Sequence, residues 1–382
     1  MSEKVVIYIG GFELPDKNAA AHRVLNNAKI LRELGYKVVF IGVSKTCKNV
    51  QQDNFFGFDS ISVPYPESTK KWLKHLCDIN EFKNVAEQYK EALVGVIFYN
   101  YQTVAMSRIM KYCKKRNLWT VADVTEWYLA DKKNPIHYII KQADTSIRMR
   151  YLQKKVSGVI AISRYLYDYY TKYVPTILLP PLVDKQEDKW KLKDRTADSH
   201  IRLVFAGTVG AFKDNLELVL KALMDFKDSI EISIIGIEKD DMLKYLPADE
   251  QKDILGEHIH FLGRLPHTEC LQIISESDFQ IFLREDNLVT KAGFPTKLGE
   301  SFACGTPVIT NLTSNIGDYL VDGENGYIVK ELNADSVRSV FVKISAADSQ
   351  MIEKMKKHCK EIELFNYKYY IEDMKNFMET IK

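Results

Sequence analysis

The densest run of residues able to do chemistry is KAGFPTKLGESFACGTPVIT, residues 291–310. Phe294-Pro295-Thr296 reads as the opening of a helix after a strand and loop, because proline lacks only an N–H that a first helical turn leaves unpaired anyway. The free amides of such a turn, with the helix dipole behind them, suit an anionic ligand. Lys297 adds a point charge. Glu300, one turn further on, is a carboxylate that can accept hydrogen bonds from hydroxyl groups. Gly305-Thr306-Pro307 then ends the helix and begins a strand. Taken singly, a glycine, a proline or an acid here is ordinary punctuation or a solvated surface group. As one string in a strand–loop–helix–strand setting they describe a binding site.

Such a site needs a frame, and the rest of the chain supplies one. Short apolar runs at 5–9, 37–43, 94–99, 118–123 and 156–162 alternate with helix-like stretches such as 19–34. Continuous rather than alternating apolar strands are what a parallel sheet covered on both faces requires. A polar stretch at 185–200 reads as a linker, after which the pattern restarts. Strands are expected at 201–207, 230–236, 259–263, 278–283, 306–310 and 326–329, with a helix over 215–223. The expectation is an α/β chain of two doubly wound Rossmann-like domains, 1–184 and 201–364, facing across a cleft. Ligands of open α/β sheets bind at the carboxyl ends of the strands. In the last stretch, 365–382, Tyr370, Met374 and Phe377 share one helix face, which is expected to pack back on the N-terminal domain.

Composition bounds the function. A length of 382 residues favours two domains, and 46% hydrophobic with 27% charged residues excludes a disordered or collagen-like chain. Lys+Arg 53 against Asp+Glu 51 leaves +2, so a nucleic-acid role has little support. Six cysteines without a C-x-x-C pair or His/Cys zinc spacing read as reduced cytosolic thiols, and no metal site is expected. The N-terminal apolar run is too short for a signal segment, and no run approaches the ~18 residues of a membrane span. A cytoplasmic protein is expected.

At residues 291–310, followed by DYLVDGENGYIV at 318–329, the chain resembles the donor-sugar site of retaining glycosyltransferases of family 4, which have the GT-B fold. VFAGTVGAFKDNLELVLKAL (204–223), IHFLGRLPHTECLQIISESDFQIFL (259–283) and VIAISRYLYDYY (159–170) with ILLPPLVD (177–184) extend the resemblance. It is close in the C-terminal half and loose in the first. The resemblance implies that Glu300, matching the second glutamate of the family's E-x7-E motif, bonds the nucleotide ribose. It implies that Gly293, Phe294, Pro295, Thr296 and Lys297 approach the donor's sugar and diphosphate, and that Lys213 neutralises the diphosphate. Gly263, Arg264 and Leu265 match the turn that holds the base by its backbone. Gly10 and Gly11 match the glycines after the first strand, where backbone comes close to donor and acceptor.

Two departures stand out. Ala292 takes the place of the first glutamate, and Thr208 that of an arginine expected at the donor diphosphate. Arg284 or Lys291, both preceding the helix that carries Lys297, could supply the cation. AGFPTK also occurs in a branch of bacterial cell-surface polysaccharide transferases. In VADVTEWY (121–128), Thr125 replaces the histidine of the Asp-x-His found in relatives. Asp123 and Glu126 are acceptor-side candidates, Asp123 alternatively capping a helix or pairing with a lysine. His22 is a third, or else an exposed helix histidine.

The implied activity is retaining, metal-independent transfer of a sugar from a UDP- or GDP-sugar to a glycan or lipid-diphosphate-linked acceptor, in cell-surface polysaccharide synthesis. Glu300, Lys213, Lys297 and Glu126 form the expected catalytic set, with no cofactor beyond the donor. Residues 70–74 and 130–155 combine cations with apolar anchors and suggest peripheral contact with the inner face of the membrane. The second of these has seven Lys/Arg against two acids. A sugar-nucleotide epimerase or phosphorylase is a second enzymatic reading. Ala292 and Thr208 support a different one, a non-catalytic partner subunit that binds donor or glycan.

Overall fold

The computed structural model describes residues 3–15, 17–127, 135–192, 200–207, 214–244 and 256–382. The chain forms two compact units. The first comprises Met1–Asp184, Ala292–Phe294 and Asn366–Lys382, and the second Lys185–Lys291 and Pro295–Phe365.

In the first unit the strands are β1 (Lys4–Gly10), β2 (Tyr36–Ser44), β3 (Gln51–Phe55), β4 (Phe58–Pro64), β5 (Leu93–Tyr99), β6 (Trp119–Val124), β7 (Gly158–Ala161) and β8 (Thr176–Leu178). They lie in the order β3-β4-β2-β1-β5-β6-β7-β8, and only β3 runs antiparallel to its neighbour. Helices cover both faces, so β1 is buried from Val5 to Gly10 and β6 throughout. Strand order reverses between β1 and β5, the switch point at which such sheets bind ligands.

The β3–β4 hairpin is absent from the expectations. QQDNF is a polar, exposed edge strand and carries no apolar signal. Its mark is the two-residue turn Phe56-Gly57, with φ of 55° and 81°, as a tight hairpin demands.

The C-terminal helix, Ile371–Thr380, closes this unit. Tyr370, Met374, Phe377 and Met378 join one core cluster with Val6, Tyr8, Trp119 and Val121. A Cβ on Gly158 of β7 would lie 2.6 Å from the Phe377 ring, which shows how closely helix and sheet approach. Burying such a side chain contributes roughly 1.5–3 kcal/mol.

The second unit holds β9 (Ile201–Ala206), β10 (Ile230–Ile235), β11 (Ile259–Gly263), β12 (Phe279–Phe282), β13 (Val308–Thr310) and β14 (Gly326–Ile328). All pairs are parallel, in the order β11-β10-β9-β12-β13-β14, with the switch point between β9 and β12. The start of the expected linker is not a bare tether. The Lys185 ammonium donates to Lys360 O and Ile362 O at 2.8 and 2.7 Å, around the end of helix Ser349–Glu361. Trp190 and Leu192 pack on the cluster of Val204, Ile235 and Leu271. A tryptophan and a leucine inside a polar run were enough to seat it. Residues 193–199 of that stretch lie outside the described residues.

Candidate functional site

In the second unit, three neighbouring strands each reach their carboxyl end at a glycine: Gly207, Gly236 and Gly263. Gly207 N donates to Ile235 O at 3.0 Å, and Gly236 N to Gly263 O at 2.6 Å. A Cβ on Gly236 would lie 2.1 Å from Gly207 O, and one on Gly263 2.3 Å from Glu238 Oε1. Gly236 and Gly263 also have φ of 91° and 58°, where other residues are strained. The sheet therefore ends here in bare backbone. At Gly207 the missing side chain makes room for the Lys297 ammonium, 2.9 Å from where a Cβ would stand.

Lys297 comes from helix Thr296–Cys304, which has Pro295 as its N-cap and ends at Gly305 in the left-handed region. Leu298, Gly299, Ser301, Phe302 and Cys304 are buried, whereas Lys297 and Glu300 are half-buried and one turn apart. Lys297 Nζ pairs with Asp214 Oδ2 at 2.5 Å and lies 4.9 and 5.7 Å from the ring centres of Phe205 and Phe282. Burial lowers its pKa below the ordinary lysine value; Asp214 opposes the shift and Arg284 adds to it. Glu300 Oε1 lies 3.4 Å from His267 Nε2. His267 opens helix His267–Glu276, directly after the turn at Gly263, Arg264 and Leu265.

Arg284 is buried just beyond β12. Its main chain is clamped by Asn311, which accepts from Arg284 N at 2.8 Å and donates to Arg284 O at 2.7 Å. Of the two proposed substitute cations it is Arg284 that approaches Lys297; Lys291 is exposed and pairs with Asp286 at 3.2 Å. Gly293, Phe294 and Pro295 are buried, and Arg264 is exposed. Ala292 has no exposed surface, and its carbonyl accepts from Ser163 Oγ at 2.7 Å, both residues belonging to the first unit. Thr208 and Lys213 lie outside the described residues.

The first-unit candidates divide. Gly10 ends β1 where a Cβ would lie 2.2 Å from Tyr99 O, so glycine is required for β1 and β5 to approach; Gly11 beside it is exposed. Asp123 must be corrected as an acceptor-side group. It has no exposed surface, and its oxygens accept from Tyr8 Oη (2.5 Å), Arg23 Nε (2.8 Å) and Asn27 Nδ2 (3.2 Å). Its partner is an arginine, not the lysine or helix cap named as the alternative. Burial, and then Asp123, push the Tyr8 phenol well above its ordinary pKa. Thr125 is buried and accepts from Asn100 Nδ2 at 2.8 Å. Burial pushes the nearby Tyr99 phenol up to about 12, with a smaller contribution from Glu126. Glu126 itself is half-buried, and so is His22 on helix Ala19–Glu33.

Sequence reasoning missed Asp214 and His267. Asp214 directly follows the flagged Lys213, and His267 stands two residues beyond the flagged Leu265. Neither carries a periodicity that would single it out.

The two segments suggested for membrane contact also differ. Helix Thr69–His75 buries no residue, and Leu73 is exposed. In 135–155, Ile139, Ile147 and Tyr151 are exposed, but Arg148 is a buried structural cation, bonded to Asp144 Oδ2 at 3.3 Å and Tyr101 O at 3.1 Å. Residues 130–134 of that segment lie outside the described residues. Among the described residues no helix is long and apolar enough to cross a membrane.

Residues 187–361 match the family model described as glycosyl transferases group 1. No curated protein matches the sequence. Among solved structures, the chain is similar to sucrose-phosphate synthase from Thermosynechococcus elongatus, at 15% identity and TM-score 0.71, covering 99% of each chain. It is similar to HepE of Anabaena in complex with UDP and glucose, at 12% identity and TM-score 0.66, covering 99% of this chain and 100% of that one. It is also similar to the catalytic domain of starch synthase IV from Arabidopsis thaliana bound to ADP and acarbose, at 12% identity and TM-score 0.69, with 100% of each covered. At such identities the likeness is one of fold. The chain has the α/β GT-B fold, with two doubly wound Rossmann-like units.

Proposed function

We propose that the protein is a retaining, metal-independent glycosyltransferase that moves a sugar from a UDP- or GDP-sugar to a glycan or lipid-diphosphate-linked acceptor in cell-surface polysaccharide synthesis. The observation that carries the reading is the carboxyl edge of the second sheet. Bare glycine backbone, Lys297, Arg284 and Glu300 meet there, inside the stretch that matches the group 1 family model. The complexes of HepE with UDP and of starch synthase IV with ADP lend support by analogy of fold.

In this reading Lys297, Arg284 and Lys213 stabilise the diphosphate as it leaves, and the first-turn amides of helix Thr296–Cys304 assist. Asp214 holds Lys297 in place and balances its charge until the diphosphate takes over. Glu300 bonds the ribose, and the backbone at Gly263, Arg264 and Leu265 reads the base. The acceptor oxygen attacks the anomeric carbon from the face the diphosphate leaves. The new glycosidic bond forms as the old carbon–oxygen bond breaks, and a donor phosphate oxygen takes the acceptor's proton. No pair of protein carboxylates is needed for this route, unlike in glycoside hydrolases. Glu126 orients the acceptor, and residues 70–74 with the exposed part of 130–155 rest on anionic lipid.

The test is a panel of UDP- and GDP-sugars incubated with the protein and a lipid-diphosphate acceptor in EDTA, read by NMR. An α-linked donor should give an α-linked product at an undiminished rate. An inverted product, or a requirement for metal, contradicts the proposed mechanism. Ala292 favours a second reading, since its side chain is buried and brings no carboxylate to the donor. Nucleotide sugars that bind but are never consumed would support a non-catalytic partner subunit.

A further inference from the structure

Glu238, in the second unit, turns its carboxylate away from its own helix. β10 ends at Ile235, and after Gly236 and the buried Ile237 the chain reaches Glu238, the N-cap of the short helix Lys239–Leu243. The main-chain oxygen of Glu238 accepts from Asp241 N and Met242 N at 3.1 Å each, so its backbone starts the helix. Its side chain takes no part. A polar N-cap side chain commonly accepts from the free amides of the first turn, and the Glu238 carboxylate makes no such bond. It lies instead against Gly263 at the end of β11. A Cβ on Gly263 would stand 2.3 Å from Oε1 and 3.4 Å from Oε2, so the carboxylate fills the space that this glycine leaves open.

An exposed glutamate is ordinarily a solvated surface acid. This one is set apart by lying on the bare backbone of a turn while remaining uncommitted. Lys239 and Arg264, next in sequence to Glu238 and Gly263, are both exposed and neither pairs with it. Glu238 makes no side-chain hydrogen bond or ion pair with a described residue. In the proposed function the base of the donor meets the backbone at Gly263, Arg264 and Leu265, so this carboxylate stands at the base.

A carboxylate only accepts hydrogen bonds, and the bases differ in what they offer it. Guanine presents two adjacent donors, N1–H and the 2-amino group, which match the two oxygens of one carboxylate as a bidentate pair. Uracil presents N3–H between two carbonyl oxygens, so the second carboxylate oxygen would face another acceptor. Adenine and cytosine set a single amino donor beside a ring-nitrogen acceptor, with the same conflict. A mismatched acceptor discriminates as effectively as a matched donor attracts.

We propose that Glu238 reads the base as guanine, and that the donor is therefore a GDP-sugar rather than a UDP-sugar. The inference rests on the glycosyltransferase reading, which leaves the two nucleotides open, and goes beyond it by choosing between them.

The experiment is calorimetric titration of GDP, inosine diphosphate and UDP into the wild type, Glu238→Gln and a charge-matched control, Asp240→Asn, at a neighbouring exposed acid. Inosine diphosphate lacks only the 2-amino group of GDP. All three share ribose and diphosphate, so Lys297 and Glu300 contribute alike and the base contacts alone differ. The wild type should bind GDP about tenfold or more tighter than either of the others, the equivalent of ~1.4 kcal/mol. Glu238→Gln, which replaces one acceptor oxygen by a donor amide, should lose at least that factor for GDP and bind it like inosine diphosphate. It should bind UDP no more weakly than the wild type does, which also shows that the variant is folded. Asp240→Asn should match the wild type throughout. A wild type that binds UDP as tightly as GDP overturns the proposal and leaves the glycosyltransferase reading standing. Equal affinity for GDP and inosine diphosphate overturns it too, as does a Glu238→Gln variant that keeps the preference for GDP. A loss in Asp240→Asn as large as that in Glu238→Gln would reduce the effect to general charge and likewise overturn it. If none of the three nucleotides binds, the glycosyltransferase reading fails and the proposal falls with it.

Discussion

Both units carry an acid–base pair near the carboxyl edge of a parallel sheet, and the pairs have opposite characters. Arg23 and Asp123 are 3% and 0% exposed. Asp123 is bonded on both oxygens, and Arg23 Nη1 also donates to Leu179 O at 3.0 Å. Asn26 and Lys29, further along the same helix, bond Leu182 O and Asp184, so this polar face fastens the chain as it leaves the unit. In the second unit, Lys297 and Asp214 are 20% and 11% exposed, and Glu300 and His267 both 26%. Lys297 lies beside the bare backbone of Gly207 and the rings of Phe205 and Phe282. A buried pair whose carboxylate is bonded on both oxygens holds a scaffold together; a half-open pair beside bare backbone retains charge that a ligand can use. Accessibility and saturation separate the two, and residue type does not.

The largest effect that should separate them is Asp123→Ala. Leaving Arg23 buried without its partner should cost about 3–5 kcal/mol, seen in calorimetry as a lower melting temperature of the first unit. Lys297→Ala should do the reverse, with little change in melting and a nucleotide-sugar affinity lower by about 1.5–3 kcal/mol, the range for a charged hydrogen bond. Calorimetric titration reads it, and equal melting losses in the two variants would erase the distinction. Glu300→Ala should weaken the donor by about tenfold, near the lower end of that range. His267→Ala should cost no more than ~1 kcal/mol, because a half-exposed pair is screened by solvent.

A pH series sharpens the same contrast. Burial lowers the Lys297 pKa, so the lysine loses its charge below the pH at which a free lysine would. Its attraction for a diphosphate is complete below that lowered pKa and fades as pH rises through it. UDP affinity should therefore fall on the alkaline side more steeply in the wild type than in Lys297→Arg, whose guanidinium stays charged. The comparison between the two cancels the titration of the nucleotide itself. Parallel curves would show that Lys297 does not meet the anion.

Much of the fold was legible because its strands are buried on both faces. β1, β2, β5, β6 and β12 come from runs buried along most of their length, as a doubly covered sheet requires. β3 was not, since a solvated edge strand has no reason to be apolar. The helix carrying Lys297 and Glu300 was readable from Pro295 and Gly305 at its two ends. Its partners were not, because Asp214 and His267 reach Lys297 and Glu300 from other elements, and a contact across 83 residues leaves no trace in local spacing. Asp123 illustrates the converse. Its position at the end of a strand made it an acceptor-side candidate, and only the packing of Tyr8, Arg23 and Asn27 around it reveals a structural acid.

The central claim is that the carboxyl edge of the second sheet binds a nucleotide sugar through Lys297 and Glu300. Calorimetric titration of UDP- and GDP-sugars into the wild type, Lys297→Ala and Glu300→Ala tests it most directly. The account predicts that at least one of these sugars binds the wild type, and that its affinity drops about tenfold or more in both variants at unchanged melting temperature. A wild type that binds none of them, or variants that bind as tightly as the wild type, would contradict it.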